Sequence, residues 1–165
     1  MSKKETSALP KVLHKACIEV HESSIHGKGV FACEPIPKGA CIIEYTGERI
    51  SWKKAIKRHP HDLEQPNHTF YFSLSNGKVI DGKVHGNEAK WVNHSCEPNC
   101  EATEFDIKND QLRVFLFAKK NLRVGDELFY DYNLDVEEKK TKALQKEYAC
   151  RCGKKSCRGT MLSLP

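Results

Sequence analysis

Short apolar stretches, separated by turn-forming residues, recur along most of the chain. Their lengths and their content of β-branched and aromatic residues are typical of strands rather than of helices. The strands predicted in this way cover residues 17–22, 29–33, 40–45, 69–74, 78–81, 112–118 and 127–130. The Ser-Asn-Gly turn at 75–77 and the loop at 107–111 each predict a hairpin. The pattern therefore favours a mainly β fold with small helices.

Three segments have the composition of short helices, at residues 51–59, 85–92 and 136–148. In the first segment Ser51 is a candidate N-cap, and Trp52, Ala55 and Ile56 would form one apolar face. The last segment is rich in Glu, Lys, Ala and Leu, which favour helices. No segment is long, so we expect the helices to be minor elements of the fold.

The composition is typical of one soluble domain. The chain has 165 residues, of which 39% are hydrophobic and 30% charged, enough for a single core. The longest apolar run, at residues 114–118, is far too short to span a bilayer. The N-terminal MSKKETSALPK lacks the apolar region of a secretory signal. We therefore expect a soluble intracellular protein, cytoplasmic or nuclear, although export by a route without such a signal stays open.

The net charge of +5 is mild, and basic residues are interspersed with acidic ones. This distribution favours a solvated mixed-charge surface over a face that follows nucleic-acid phosphates. We therefore expect no direct binding to nucleic acid and no association with a membrane. Acidic residues gather in the second half of the chain, where they could receive a basic peptide.

The eight cysteines fall into two groups. The cysteines of alternating apolar stretches are predicted to be small core residues, and they are Cys17, Cys33 and Cys41. The other cysteines lie in polar, turn-rich segments that suit metal binding, and they are Cys96, Cys100, Cys150, Cys152 and Cys157. The close spacing of the last three suits three ligands of a tetrahedral zinc ion, with Cys96 or Cys100 as the fourth.

The segment KWVNHSCEPNC, at residues 90–100, allows a second interpretation. Cys96 could be a nucleophile and His94 its base, because alternate residues of an extended chain share a face. A zinc-bound thiolate is not free to attack, however, and no third orienting group is evident. The metal site is therefore preferred, and a further metal site among His59, His61 and His68 is not expected.

Five motifs occur in a fixed order, HGKGVFA (26–32), EYTGERI (44–50), DGKVHGNEAKWVNHSCEPNC (81–100), GDELFYDY (125–132) and CRCGKKSCRGTML (150–162). Together they resemble the SET-domain protein lysine methyltransferases that carry a post-SET zinc motif. The resemblance covers nearly the whole chain after about residue 17. Its most specific parts are NHSCEPN, GDEL-x-YDY and C-x-C-x4-C, in that order.

The resemblance implies an N-terminal extension at 1–16, a SET domain at 17–135, and a linker helix with a Cys-rich, zinc-binding post-SET segment at 136–165. It also implies a C-terminal pseudoknot, in which the NHSC segment and the segment after GDEL meet beside the active site. S-adenosylmethionine would bind on one face, and the target lysine would enter from the opposite face through a narrow channel. A variable insert at about 51–77 would help to form the substrate groove.

The same resemblance implies which residues bind the cofactor and the metal. Lys28 and Gly29 would contact the methionine part of S-adenosylmethionine through their backbone, and Asn93 through its side chain. The backbone of His94 would meet the adenine. The implied zinc ligands are Cys96, Cys150, Cys152 and Cys157.

Tyr45 and Tyr132 are implied to flank the methyl-transfer channel, with Tyr132 as the catalytic tyrosine. Tyrosine ionises at a pKa of about 10 and is a poor base at neutral pH, so we interpret both as orienting hydroxyls. Tyr130 occupies the position where tyrosine limits the number of methyl groups added and phenylalanine permits more. We therefore expect mainly mono- and dimethyl-lysine as products.

The predicted function is S-adenosylmethionine-dependent methyl transfer to a lysine of a protein or peptide, a histone tail being one candidate. Two alternatives are a catalytically inactive SET-fold peptide-binding module and a zinc-containing nucleic-acid-binding protein. The presence of Tyr45, Asn93 and Tyr132 argues against the first alternative. The mild net charge argues against the second.

Overall fold

The computed structural model describes residues 4–5, 8–12, 17–58 and 70–165 of the chain. Part of the predicted insert lies outside the described residues, together with His59, His61 and His68. In the described part of the chain, eleven strands accompany two short α-helices and one 3₁₀ helix. The mainly β fold with small helices is therefore confirmed.

The largest sheet contains, in spatial order, β1 (Lys4–Glu5), β9 (Cys100–Asp106), β10 (Leu112–Ala118) and β4 (Cys41–Tyr45). β9 and β10 form an antiparallel hairpin across the predicted loop at 107–111. The sequence pattern did not reveal β9, because CEATEFD mixes charged and apolar side chains. Glu104 of this strand is nevertheless buried, and its carboxylate accepts the Ser75 N–H at 2.9 Å.

Two smaller antiparallel sheets complete the body of the fold. They are formed by β2 (Ile18–Glu22) with β3 (Lys28–Ala32), and by β5 (Glu48–Ser51), β7 (Lys78–Asp81) and β6 (Tyr71–Ser73) in that order. The predicted turn at 75–77 joins β6 to β7, which confirms that hairpin. β5 was not predicted, since its short sequence ERIS has no apolar run.

The first helix, α1 (Trp52–Arg58), follows Ser51, whose hydroxyl accepts a first-turn N–H at 3.2 Å. This bond confirms the predicted cap. Ala55 is fully buried, but Trp52 is 45% and Ile56 70% exposed. The predicted apolar face is therefore wrong, because Ala55 is the one residue of the helix that is buried against the neighbouring sheet.

The other helical segments are shorter than predicted. The second is a 3₁₀ helix (Glu88–Trp91), and the third is α2 (Lys142–Glu147). The helix predicted over 136–148 is wrong for residues 136–141. The reason is the cap, because the Thr141 hydroxyl accepts the Leu144 N–H at 3.2 Å and starts the helix there.

Two segments that are distant in sequence meet beside the core and form the expected pseudoknot. β8 (Asn93–His94) pairs in parallel with β11 (Phe129–Tyr130). The Asn99 side chain extends this pairing, because its amide donates to Glu127 O and accepts the Phe129 N–H, both at 2.8 Å. The NHSC segment and the segment after GDEL are thereby fixed side by side.

The last part of the chain, residues 148–165, is called the cysteine tail below. It returns to the body through a few backbone bonds, among them Leu134 N to Met161 O at 3.0 Å and Ser163 N to Leu134 O at 2.8 Å. Leu162 of the tail is fully buried. None of the helices in the described ranges is long and apolar enough to cross a membrane.

Candidate active site

Asn93, the first residue of β8, is held through its amide nitrogen. Nδ2 donates to Lys28 O at 2.9 Å, to His26 O at 3.2 Å and to Glu127 Oε1 at 3.0 Å. Because an amide carries two N–H groups, these bonds use its whole donor capacity. Oδ1 is therefore the atom through which this side chain can still bind a ligand, as an acceptor.

Glu127 also contacts Ser23 and lies against Gly29, which is one of the predicted cofactor residues. Its Oε2 accepts the Ser23 hydroxyl at 3.0 Å. A Cβ atom on Gly29 would collide with the Glu127 carboxylate, so any larger residue at this position would force that carboxylate away from the Asn93 amide. The sequence pattern counted Glu127 only among the acidic residues that could receive a basic peptide, because a glutamate that follows a turn usually lies in solvent.

Lys28 has an exposed side chain and a structural carbonyl. Its carbonyl accepts the Asn93 amide, and its Nζ lies 5.0 Å from the centroid of the Trp91 ring. The Lys90 Nζ lies 5.3 Å from the same ring. The structure thus places the four predicted cofactor residues, Lys28, Gly29, Asn93 and His94, on β3 and the adjacent β8.

His94 is buried and links β8 to the segment after β11. Its Nδ1 accepts the Tyr132 N–H at 3.0 Å, which assigns the ring proton of the neutral imidazole to Nε2. Burial lowers the pKa of His94 to about 4, although Asp131 opposes this shift. The ring is therefore neutral at pH 7, and its Nε2 can donate to Cys96 Sγ, 3.5 Å away.

Cys96 and His94 are in contact, but they cannot act as a nucleophile and its base. A base must accept the thiol proton, whereas the His94 Nε2 already carries one and the pKa of the ring is too low. Burial also raises the pKa of the Cys96 thiol, which opposes formation of a reactive thiolate. The geometry does not support this alternative.

Four sulfur atoms converge at the junction of the cysteine tail and the pseudoknot, and they belong to Cys96, Cys150, Cys152 and Cys157. All lie within 4.8 Å of one another, and Cys96 Sγ is 3.7 Å from the Cys150 sulfur. A disulfide bond measures about 2.05 Å, so these atoms are not bonded. Around a tetrahedral zinc ion with Zn–S bonds of about 2.3 Å, sulfurs are about 3.8 Å apart. The cluster can therefore hold zinc.

The remaining cysteines lie apart from this cluster. Cys100 is fully buried in the main core, and burial raises the pKa of its thiol to about 12. Cys17 and Cys41 are also buried, as predicted, whereas Cys33 is partly exposed. The structure thus brings Cys96, and not Cys100, to the three cysteines of the tail.

The three predicted channel tyrosines, Tyr45, Tyr130 and Tyr132, form one aromatic cluster. The ring centroids of Tyr130 and Tyr132 are 4.8 Å apart. Phe72 of β6 joins the cluster, with its ring centroid 5.3 Å from Tyr45 and 6.2 Å from Tyr130. Phe72 was not among the predicted site residues, since an aromatic residue in a strand is usually core.

Two of these tyrosines have their hydroxyl protons engaged. Tyr45 donates to Phe70 O and Tyr132 donates to Val92 O, each at 2.7 Å. A phenol has one proton, so both hydroxyls can offer only lone pairs to an incoming group. Burial raises the pKa of Tyr45, Tyr130 and Tyr132. The cluster can therefore orient an amine but cannot remove its proton at neutral pH.

The sequence pattern also gave no role to an ion pair between Asp131 and Arg158. Both terminal guanidinium nitrogens donate to the carboxylate at 2.8 Å. Burial would raise the pKa of Asp131, but the hydrogen bonds from Arg158 and the Asn133 N–H outweigh it, and the pKa lies below its ordinary value. The sequence signal was a charged residue inside YDY and another directly after Cys157.

The sequence profile of the SET domain matches residues 27–133, from the turn before β3 to the end of the pseudoknot. That range contains the four predicted cofactor residues, the tyrosine cluster and Cys96. The fold and this match together show that the chain belongs to the SET-domain family.

Several curated relatives are similar over most of this chain. The histone-lysine N-methyltransferase trithorax of Drosophila virilis is 34% identical over 148 residues, 90% of this chain and 4% of its own length. The histone-lysine N-methyltransferase ash1 of Drosophila melanogaster is 38% identical over 135 residues, 82% of this chain and 6% of its own length. The chain thus spans a small part of these relatives.

Two solved structures are also similar to this chain in sequence and in fold. The polycomb repressive complex 2 of Chaetomium thermophilum contains a chain that is 29% identical, with a TM-score of 0.65 over 73% of this chain and 16% of that one. A structure of ctPRC2 in an autoinhibited conformation, bound to S-adenosylmethionine, is 30% identical with the same TM-score over 70% of this chain and 15% of that one.

Proposed function

We propose that this chain transfers a methyl group from S-adenosylmethionine to the side-chain amine of a lysine in a protein. The observation that carries the proposal is the pairing of β8 with β11. It sets a polar edge, with Asn93 and His94, next to a buried cluster of tyrosine hydroxyls, with Tyr130 and Tyr132. The polar edge suits a cofactor, and the tyrosine cluster suits an amine.

We assign the polar edge to S-adenosylmethionine, which supplies a methyl group on a positively charged sulfonium. Its methionine part carries an ammonium group, a donor that suits the available Oδ1 of Asn93. The Glu127 carboxylate holds the Asn93 amide in this orientation at 3.0 Å and adds negative charge near a cationic ligand. Lys28 and Gly29 are assigned to the same site through their backbone, and His94 through its backbone beside the adenine.

The tyrosine cluster is assigned to the lysine. An amine must be neutral to attack, and a lysine pKa of about 10.4 makes deprotonation at pH 7 cost about 4–5 kcal/mol. A buried aromatic wall disfavours the charged ammonium and so lowers this cost. The lone pairs of Tyr45 and Tyr132 can hold the amine N–H groups and align its own lone pair with the methyl carbon.

We further propose one zinc ion per chain, bound by the four clustered cysteines, Cys96, Cys150, Cys152 and Cys157. The sulfur spacing supports this assignment, and so does the closed set of four thiol ligands, which is typical of structural zinc. Such an ion would fix the cysteine tail to Cys96, two residues after His94. The tail would thereby stay beside the tyrosine cluster.

Relatives named histone-lysine N-methyltransferases make a histone tail the first substrate to test. A histone substrate would place the protein in the nucleus, on chromatin, and the polycomb complex raises the prospect of partner subunits. We keep the division into residues 1–16, 17–135 and 136–165 as a prediction. Direct binding to nucleic acid is not part of the proposal.

The decisive experiment combines a transfer assay with calorimetry. Purified protein is incubated with methyl-labelled S-adenosylmethionine and core histones, and mass spectrometry locates the modified residue. We expect methyl-lysine and no methylation of other side chains. Cofactor binding without transfer to histones or to a lysine-rich protein extract would support the inactive peptide-binding module. If S-adenosylmethionine does not bind, the proposal is wrong.

A further inference from the structure

The Asp131–Arg158 ion pair joins the cysteine tail to the channel. Asp131 stands between Tyr130 and Tyr132, and Arg158 directly follows Cys157. The pair is bidentate, with Nη1 and Nη2 each 2.8 Å from a different carboxylate oxygen. Both side chains are partly buried, because 23% of the Arg158 side chain and 32% of the Asp131 side chain are exposed. A planar, bidentate and partly desolvated pair fixes orientation better than an exposed pair does.

The Asp131 carboxylate also holds the backbone next to Tyr132. Its Oδ1 accepts the Asn133 N–H at 2.9 Å. The backbone of Asn133 has a φ of 43°, in the left-handed region that few residues other than glycine and asparagine adopt. Tyr132, which lies between Asp131 and Asn133 in the chain, donates its own N–H to His94 Nδ1 at 3.0 Å. The turn that presents Tyr132 therefore depends on the position of one carboxylate.

The bonds between Arg158 and the Asp131 carboxylate leave the third guanidinium nitrogen unpaired among the described residues. This nitrogen, Nε, is buried and has no hydrogen-bond partner in the described part of the chain. An unsatisfied buried N–H is destabilising, so an arrangement that leaves it unpaired needs a compensating interaction. The two bonds to Asp131 provide that compensation.

Other contacts hold the tail independently of this pair. Leu134 N donates to Met161 O at 3.0 Å, Ser163 N donates to Leu134 O at 2.8 Å, and Ser156 N donates to Glu97 Oε1 at 3.1 Å. The four sulfurs form a further attachment. The three backbone donors do not involve the Arg158 side chain, so they should keep the tail docked when its guanidinium is removed, although the Arg158 charge also lies near the Cys96 and Cys150 thiols. The effect on Tyr132 can therefore be separated from loss of the tail.

We propose that Arg158 is a positioning residue for methyl transfer, which acts through Asp131 to hold the Tyr132 hydroxyl in place. This inference rests on the proposed function. Arg158 does not need to touch cofactor or substrate for this role. Its effect should therefore be on the rate of transfer rather than on cofactor affinity.

The test compares Arg158→Gln and Asp131→Asn with Arg151→Gln in the full chain. Arg151 is the matched control, since it is an exposed arginine of the same tail. We expect kcat to fall roughly 10- to 100-fold in the first two variants, because a small misplacement of a catalytic group has effects of this size. Zinc content and cofactor affinity should stay at the control values. The double variant should lose little more than either single one.

A second measurement does not depend on activity. Amide hydrogen exchange at Tyr132, followed by NMR without cofactor, should accelerate in Arg158→Gln and stay unchanged in Arg151→Gln. Arg158→Lys should not restore protection, because an ammonium cannot bind both carboxylate oxygens in the same plane. If wild-type protein transfers no methyl group, the proposed function fails, and this exchange measurement still decides the positioning role.

Three results would overturn the inference. The first is a kcat for Arg158→Gln equal to that of the control. The second is loss of zinc from Arg158→Gln, which would make the residue a structural part of the tail. The third is weakened cofactor binding at unchanged kcat, which would place Arg158 in the cofactor site.

Discussion

The pseudoknot carries Tyr130, and the cysteine tail contacts the next residue, Asp131, but the two regions are held by different means. The pseudoknot depends on the backbone pairing of β8 with β11 and on the bonds of Asn99. It lies against the main core, where Leu128 and Val92 are almost fully buried. The tail depends on a few backbone bonds, the Asp131–Arg158 pair, Leu162 and four clustered sulfurs.

This difference indicates that the two regions fail for different reasons. Strand pairing and apolar burial persist as long as the domain is folded. Metal–thiolate contacts are lost to chelators, oxidants and acid while the rest of the domain can stay folded. We therefore expect activity to depend on both regions, and global stability to depend mainly on the first.

The largest effect should come from the pseudoknot side, at Tyr132. Tyr132→Phe keeps the ring but removes the hydroxyl that lies 2.7 Å from Val92 O. We expect transfer to fall about 100- to 1000-fold, as when other active sites lose one preorganised polar group. The thermal midpoint should change by a few degrees at most.

Tyr71→Phe is the matched control for this experiment. It also removes a hydroxyl bonded to a backbone carbonyl, Ala55 O at 3.0 Å, but lies outside the tyrosine cluster. Its activity should stay near that of the wild type. If Tyr132→Phe keeps activity within about threefold of the wild type, Tyr132 does not have the assigned role.

The next largest effect should come from the tail. Cys150→Ala should lose the metal, and activity should fall by about 10- to 100-fold because the tail no longer borders the channel. Cys96→Ala should do the same from the pseudoknot side. Elemental analysis should give one zinc per wild-type chain, and none in these variants. Cys100→Ala, in the core, should keep its zinc; the reverse pattern would show that Cys100 is the fourth ligand.

A smaller effect is expected at the cofactor edge. Asn93→Ala removes the acceptor Oδ1 and the amide that Glu127 holds at 3.0 Å. Calorimetry should show S-adenosylmethionine affinity reduced by about 1–2 kcal/mol, roughly 5- to 30-fold. Asn121→Ala, which loses an exposed bond to Lys38 N at 2.8 Å, is the control and should bind normally. Unchanged affinity in Asn93→Ala would exclude Asn93 from the cofactor site.

The smallest change in rate, and a change in product, is expected at Tyr130. Tyr130→Phe removes a hydroxyl from the cluster without opening a large cavity, so a methylated amine gains room to turn its lone pair to the donor. We expect di- and trimethyl-lysine to increase at the expense of monomethyl-lysine. Mass spectra of one peptide at matched turnover measure this shift. Identical product distributions would show that another residue limits methylation.

The sequence predicted the strands where apolar residues form continuous runs, as in β10 and β4. It missed β9, because Glu104 is buried there by a bond from Ser75 that the pattern cannot show. It also extended the C-terminal helix by a turn or more, because composition does not locate the cap at Thr141. Local pattern thus indicates strands with continuous apolar runs, and it misses strands such as β9 whose charged side chains find distant partners.

The candidate site shows the same division. Motifs brought together Asn93, the tyrosines and the cysteines, and the structure places them side by side. Glu127, Asp131 and Arg158 were not predicted, because charged residues on turns are usually solvated. Their partners lie between 27 and 104 positions away, so only the folded chain reveals them.

The parallel pairing of β8 with β11 also determines when, during synthesis, the site can first exist. A chain released from the ribosome before residue 130 has β8 but lacks its partner strand. A chain that ends before residue 157 has the pseudoknot but lacks the last sulfur and Arg158. The proposed channel can therefore be complete only after residue 158 has emerged. Products that end between residues 130 and 157 would therefore keep the paired strands and lack transfer activity.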